Sequence, residues 1–380
     1  MKITIMTGPF YSVPPAPCGA VERVWFDLAR EFAARGHEVS IAARAYPGLP
    51  GEEVREGVRV FRRFSYARTG SLKWDLVKDL AYSAQSAAVL PRGDILVTNA
   101  FWMPAVAGVA RRSAGRLVVN LNRFPKGQLW LYAAAARFTA VSRAVRDAAV
   151  EQYPRAARIT RVLPNPIDTG VFSPPVSPRT YGDSPVVLFT GRVHPEKGLD
   201  LLVRAYAELR RVVPGVRLRL VGPVEVERGG GGEAYVRELR EMAGGAPIEV
   251  PGPVYDRAAL CRELREARVY CYPSRAERGE ALPVAPLEAM ATGLVPVVSD
   301  LAVFRDYVEP GVTGFVFDHR GESAATNLAA ALRSALADPA RLAEVGRAAA
   351  AKAGSFSNQN VAKMYLRDFE ELLGHDRRRT

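Results

Sequence analysis

Val186-Val187-Leu188-Phe189-Thr190-Gly191-Arg192-Val193-His194-Pro195-Glu196-Lys197-Gly198 passes from a short apolar run, through a turn bearing glycine and charge, into an amphipathic segment over 199–212. It reads as strand, loop and helix, and the same alternation extends from it in both directions. Downstream, strand signals at 217–221, 248–250, 269–272 and 295–298 alternate with helical patterns over 233–242, 257–266 and 285–292. Upstream, a strand over 3–6 precedes a helix from about Gly19, whose Val21, Val24, Trp25, Leu28 and Phe32 share one face. Gly36 stops that helix. Further short strands are expected at 39–42, 58–61, 95–98, 117–121, 138–141 and 159–163. Such alternation predicts parallel sheets covered by helices on both faces.

Between the two series lies Phe172-Ser173-Pro174-Pro175-Val176-Ser177-Pro178, a proline-rich run that cannot sit inside a sheet. The expectation is therefore an α/β protein of two doubly wound, Rossmann-like domains, 1–172 and 173–358, facing across a cleft. A ligand would sit at the carboxyl ends of their strands. The amphipathic stretch 361–373 follows the second sheet, and a helix over 359–380 is expected to pack back on the first domain.

Composition narrows the class. The 380 residues are 48% hydrophobic and 24% charged, as in an ordinary globular protein. No apolar run reaches the 18 or so residues of a membrane span, and the first residues read as a strand meeting Gly8-Pro9 rather than a signal peptide. A cytoplasmic protein is expected, with association at the cytoplasmic face of a membrane left open. Three cysteines give no disulfide framework. Cys261 and Cys271 are expected as buried thiols, and Cys18 as a loop residue. The net charge is +12, and its distribution is uneven: residues 1–172 hold 24 Lys/Arg against 13 Asp/Glu, and residues 173–380 hold 28 against 27. The excess suits an anionic partner such as a membrane surface or a phosphorylated acceptor, although arginine drift in an Ala/Arg-rich chain would give the same count.

Two groups of residues carry the chemistry. In Gly191-Arg192…Lys197-Gly198 a strand end delivers backbone to the crevice, the glycines permit close approach, and two cations can reach phosphate oxygens. A solvated basic turn capping a helix would carry the same residues. Glu280 and Glu288 flank Ala281-Leu282-Pro283-Val284-Ala285-Pro286-Leu287, the first in a loop and the second in a helix. A carboxylate at a helix start can accept hydrogen bonds from sugar hydroxyls, and a deeper one can grip a ribose diol. Two unrelated glutamates are the plainer alternative.

With these residues in place the chain resembles the retaining, two-domain glycosyltransferases of family 4, with the GT-B fold. The resemblance covers nearly the whole chain. It rests on Cys18-Gly19-Ala20-Val21-Glu22-Arg23, Leu163-Pro164-Asn165-Pro166-Ile167-Asp168…Phe172, Gly191-Arg192…Glu196-Lys197-Gly198, Val221-Gly222, Tyr272-Pro273-Ser274 and Glu280 with Glu288-Ala289-Met290-Ala291. It implies transfer of a hexose-type sugar from a nucleoside-diphosphate sugar, UDP by default, to a hydroxyl acceptor in glycan or glycolipid synthesis. Retention of configuration is implied, with no metal ion and no cofactor, the nucleotide sugar being a substrate. Arg192 and Lys197 would neutralise the diphosphate, Glu288 would hold the ribose and Glu280 the donor sugar. Gly191, Leu282, Pro283 and Val284 would line sugar and phosphate, and Gly19 would let its loop close over the diphosphate.

One departure stands out. Where the family carries a first-domain histidine, at the end of the strand 117–121, this chain has Asn122, and its four histidines are His37, His194, His319 and His375. An amide can bond a sugar hydroxyl but cannot take its proton, and a structural Asn would fit as well. Asn99 ends the neighbouring strand. With Asn122, Arg123 and Lys126 it is expected to face the acceptor, Arg123 and Lys126 suiting an anionic or lipid-linked one, although 122–130 also fits a helix-capping loop. Peripheral contact with an anionic membrane suits the same charge; nucleic acid is not expected as a partner, because cleft glutamates repel phosphodiesters. A non-catalytic anion-binding or nucleic-acid-binding protein and a nucleotide-sugar epimerase are the competing readings. An epimerase would need acid–base groups that this histidine-poor sequence lacks.

Overall fold

The computed structural model describes residues 1–14, 19–110, 112–176 and 184–377. The chain divides into two compact units, Met1–Pro166 with Asn358–Thr380, and Ile167–Ser357. In chain order the first contains β1 (Lys2–Met6), α1 (Ala20–Ala33), β2 (Glu38–Arg44), β3 (Glu52–Arg55), β4 (Val58–Arg63), α2 (Leu72–Val89), β5 (Ile95–Thr98), α3 (Met103–Ala110), β6 (Arg116–Leu121), β7 (Arg137–Ala140), α4 (Arg143–Gln152), α5 (Ala156–Ile159) and β8 (Thr160–Val162). The second contains β9 (Val186–Thr190), α6 (Leu199–Leu209), β10 (Arg217–Val221), α7 (Gly232–Met242), β11 (Ile248–Gly252), α8 (Arg257–Glu266), β12 (Val269–Tyr272), α9 (Val284–Ala291), β13 (Pro296–Ser299), β14 (Phe315–Phe317), α10 (Ala324–Ala337) and α11 (Pro339–Gly354). The last helix, α12 (Asn358–Arg377), returns to the first unit.

Each unit is built on one sheet. The first runs β3-β4-β2-β1-β5-β6-β7-β8 and is parallel except for the β3–β4 hairpin. The second runs β11-β10-β9-β12-β13-β14 and is parallel throughout. In both, the chain winds outward in one direction and then in the other. The reversal falls between β1 and β5 in the first sheet and between β9 and β12 in the second. Helices on either side of such a reversal leave a crevice at the carboxyl ends of the two central strands. The loops after β1, β5, β9 and β12 therefore hold the positions where a ligand is expected.

Burial follows the apolar patterning. Strands buried on both faces read as continuous apolar runs, such as Ile95-Leu96-Val97 and Val187-Leu188-Phe189. Helix α1 turns Trp25, Leu28 and Phe32 into the first core, where they meet Val361, Tyr365 and Phe369 of α12. The rings of Trp25 and Tyr365 pack edge to face with centroids 5.4 Å apart. Arg137 of β7 and Asp368 of α12 form a buried ion pair at 3.1 Å. The two units part at Pro166 rather than at residue 172. Asp168 accepts the backbone N–H of Phe172 on its carbonyl and pairs with Arg257, whose guanidinium lies 5.6 Å from the buried Phe172 ring, so this loop closes on the second unit. The end of the proline-rich run, Ser177-Pro178, and Cys18 lie outside the described residues. Cys261 and Cys271 are free and buried, and burial pushes the Cys271 thiol up.

Candidate functional site

In the second unit the loop after β9 carries Arg192 and Lys197, the loop after β12 carries Glu280, and α9 carries Glu288. Lys197 Nζ lies 2.6 Å from Glu280 Oε1, and both side chains are buried. The same oxygen accepts the Ser274 hydroxyl at 2.8 Å and the Tyr272 phenol at 3.1 Å. Burial, with Glu280 beside it, raises the Tyr272 pKa well above the ordinary tyrosine value, so the phenol keeps its proton and donates. Three donors converge on Oε1. Among the described residues Oε2 takes no hydrogen bond, which leaves one carboxylate edge for a ligand hydroxyl.

Arg192 is more exposed. It pairs with Glu196 and donates to the Gly229 carbonyl at 3.2 Å, while Lys197 Nζ lies 3.7 Å from the same Glu196 carboxylate. Arg192, Glu196, Lys197 and Glu280 thus form one alternating chain of charge. Glu288, half-buried in α9, acts electrostatically on Tyr270, which lies nearly parallel to Tyr272 with ring centroids 6.4 Å apart. Leu282 and Pro283 are buried at the entry to α9, and the Tyr307 hydroxyl donates to the Pro283 carbonyl at 3.1 Å. Pro283 and Pro286 have no N–H, so the free donors of the first helical turn are Val284 and Ala285. The loop before Glu280 is tied down as well: Arg320 donates to Glu277 at 2.8 Å, and Ser299 donates to the Ser274 carbonyl at 2.6 Å.

The glycines serve the protein's own backbone. A Cβ on Gly222 (φ +158°) would stand 1.8 Å from the Gly191 carbonyl oxygen, and one on Gly198 (φ +67°) 2.1 Å from that of Pro273. Close approach is required where the loops of neighbouring strands cross. Tyr272 and Ser274, given no role of their own in the sequence reading, prove to be partners of Glu280. The bond from Lys197 to Glu280 links residues 83 apart in the chain and leaves no local pattern.

In the first unit a cavity of about 420 Å³ opens at the β1/β5 reversal. Asn99, Asn122 and Arg123 line it, with Glu22 from α1 and Asp79 from α2. Lys126 does not. It sits on an exposed turn formed with Gly127 (φ +96°), its backbone N–H bonded to Gln128. Asp79 accepts the N–H groups of Trp102 at 2.9 Å and Phe101 at 3.3 Å and the Ser83 hydroxyl at 3.2 Å, which fixes the loop after Asn99. Burial raises the pKa of Asp79 in spite of these bonds, and it raises that of Glu22 in spite of its own backbone N–H and the positive charge of Arg123. Asn99 Oδ1 is buried without a partner among the described residues. Gly19 stands at the N-cap of α1, while the loop before it is outside the described residues.

These arrangements have counterparts. Residues 21–171 match the family described as Glycosyltransferase Family 4, and residues 175–352 match Glycosyl transferases group 1. The D-inositol 3-phosphate glycosyltransferase of Kineococcus radiotolerans is 30% identical over 98% of this chain and 94% of its own. The chain belongs to the group 1, family 4 glycosyltransferases. A second relative, the GDP-mannose-dependent alpha-(1-6)-phosphatidylinositol monomannoside mannosyltransferase of Mycolicibacterium smegmatis, is 28% identical over 82% of this chain and 84% of its own. Among solved structures, sucrose-phosphate synthase from Thermosynechococcus elongatus superposes with a TM-score of 0.80 at 20% identity, over 99% of this chain and all of the other. Anabaena HepE, solved with UDP-glucose, gives 0.72 at 20% identity, over 98% of this chain and all of its own. The fold of this glycosyltransferase is GT-B, with two parallel-sheet α/β domains. No helix among its described residues is long and apolar enough to cross a membrane.

Proposed function

We propose that this glycosyltransferase moves a hexose-type sugar from a nucleoside-diphosphate sugar, UDP by default, to an acceptor hydroxyl with retention of configuration and without a metal ion. The observation that carries the reading is the buried Lys197–Glu280 pair beside the start of α9. A cation and the positive end of a helix suit a diphosphate, and the carboxylate edge beside them suits the sugar attached to it. Arg192 and Lys197 would neutralise the diphosphate as the bond from the anomeric carbon to phosphate oxygen breaks. The acceptor oxygen would bond to that carbon from the same face, its proton passing to the departing diphosphate. Glu280 would take a donor-sugar hydroxyl on Oε2 and Glu288 the ribose, while Leu282, Pro283 and Val284 pack against the donor.

The acceptor would enter at the cavity of Asn99, Asn122 and Arg123, whose amides suit hydroxyls and whose cation suits an anionic or lipid-linked group. The names of two relatives mention an inositol phosphate and a phosphatidylinositol mannoside, both anionic polyols, which agrees with that lining. Work at a membrane surface, in glycan or glycolipid synthesis, is part of the reading. Thermal unfolding with UDP, GDP and ADP, followed by turnover of the matching nucleotide sugars, tests it. One diphosphate should raise the Tm by mass action, and Lys197→Ala should abolish the rise. Absence of any transfer or donor hydrolysis across the panel would leave an anion-binding protein instead.

A further inference from the structure

Gly229-Gly230-Gly231-Gly232 runs from the loop after β10 into the first residue of α7, and by composition it reads as a slack connection. It is tightly bonded instead. The N–H of Gly229 donates to the Val226 carbonyl at 2.8 Å, that of Gly230 to Glu225 at 2.9 Å, that of Gly231 to Val193 at 2.8 Å and that of Gly232 to Val224 at 2.8 Å. Glycine loses more conformational freedom on folding than any other residue, so four in succession, all held, call for a reason.

The loop after β10 is laced to the loop after β9 on both sides of Arg192. Gly191 donates its N–H to Val221 at 2.9 Å and Val193 to Pro223 at 3.0 Å, while Gly231 returns its bond to the Val193 carbonyl. The backbone that carries Arg192 is therefore fixed by the loop that carries the glycines. The side chain meets the same loop. Gly229 offers its carbonyl to Arg192 Nη1 at 3.2 Å. It stands in the left-handed region (φ +81°), and beyond its chain neighbours the three atoms nearest to a Cβ there would all belong to Arg192: Cδ at 3.0 Å, Nη1 at 3.1 Å and Cζ at 3.8 Å. Carbon atoms in contact sit about 3.5–4.0 Å apart, so a side chain at 229 would push the guanidinium aside. Arg228 is engaged elsewhere, donating to the Tyr255 hydroxyl at 2.8 Å. With Nη2 on Glu196 and Nη1 on Gly229, a side chain 44% exposed has its planar fork set from two directions.

We propose that the tetraglycine turn is the positioning element for Arg192: the Gly229 carbonyl aims the guanidinium, and the missing Cβ leaves it room. The inference deepens the donor reading above and rests on it, since there Arg192 meets the diphosphate. Fixing an arginine side chain costs rotamer entropy. Holding it before the donor arrives removes that cost from the step in which charge develops on the leaving group.

The test is steady-state kinetics on the full chain, with the nucleotide sugar that the panel above selects, alongside the Tm. Gly229→Ala and Gly232→Ala add a methyl at nearly the same backbone geometry, φ +81° and +80°, but the second Cβ meets only Val226 Cγ2 at 3.4 Å. Both should lower the Tm by similar amounts through backbone strain. Only Gly229→Ala should lower kcat, roughly tenfold, with the donor KM changed less. Gly229→Asn, which enters the left-handed region more readily, should show the same fall in kcat with a smaller loss of Tm. In an Arg192→Ala background, Gly229→Ala should leave kcat unchanged to within about twofold, because the group it displaces is gone. Equal kcat in Gly229→Ala and Gly232→Ala would overturn the proposal, and so would a Gly229→Ala effect that persists in full without Arg192. Either result leaves the donor reading standing when Arg192→Ala alone lowers kcat. Wild-type kcat in Arg192→Ala would instead remove the donor role of Arg192 and the inference with it.

Discussion

The two crevices treat buried charge in opposite ways. At Glu280 every charge has an answer: a carboxylate 6% exposed receives an ammonium, a phenol and a hydroxyl on one oxygen, and the cation is shared with Glu196. In the first unit the burial is less fully compensated. Glu22 and Asp79 have raised pKa values, and Asn99 Oδ1 is buried without a partner among the described residues. A constellation that binds the same diphosphate in every turnover gains from being fixed beforehand. One that must fit a particular acceptor hydroxyl keeps hydrogen-bonding capacity unspent until the acceptor arrives. On the proposed reading, preorganisation lies on the side of the leaving group.

The sharpest way to break that contrast is Lys197→Ala. It strands a buried carboxylate, so stability should fall by about 3–5 kcal/mol, read by denaturant unfolding. The double variant Lys197→Ala/Glu280→Gln should recover much of the loss while transfer stays absent; no recovery would mean that the pair is not the compensated unit described. Arg192→Ala comes next. Half-exposed as it is, Arg192 should cost little in stability, yet kcat should fall roughly 10²–10³-fold if it meets charge developing on the diphosphate. An unchanged kcat would make it a surface ion pair with Glu196 and nothing more.

On the other side, Asn122→Ala should raise the acceptor KM about tenfold and leave nucleotide affinity unchanged. A fall in nucleotide affinity instead would erase the division of labour. The smallest effect is expected from Glu22→Gln. Burial raises the folded pKa of Glu22 above the ordinary value of 4.5, so its protonated form contributes stability that is fully present below that value and lost as pH rises through the folded pKa. Relative to wild type the variant should gain stability over that rise and show no gain at lower pH; a pH-independent difference between the two would show that Glu22 does not titrate against burial.

Much of the architecture was legible. Strand signals at 186–189, 217–221 and 269–272 fall within β9, β10 and β12, because strands buried on both faces leave unbroken apolar runs. The one-sided pattern of Val21, Trp25, Leu28 and Phe32 located α1 and the face that receives α12. The β3–β4 hairpin escaped notice, since Glu52-Glu53-Val54-Arg55 is polar and mostly exposed and has no core to betray it. At the site, residue types were readable and their partners were not. Arg192, Lys197 and Glu280 stand out by charge beside glycine and proline, but nothing local says that Tyr272 and Ser274 share an oxygen with Lys197. Lys126, a basic residue near a strand end, stands on an exposed turn with Gly127 and does not line the first-unit cavity.

The place of α12 bears on how the chain is made. Phe32 and Trp25 meet Tyr365 and Phe369 only after all of Ile167–Ser357 has been translated. A nascent chain leaving the ribosome would carry the apolar flank of α1 uncovered through the synthesis of an entire second unit. For this enzyme the N-terminal half is synthesised first and completed last, and a nascent-chain chaperone would find its longest-lived target there.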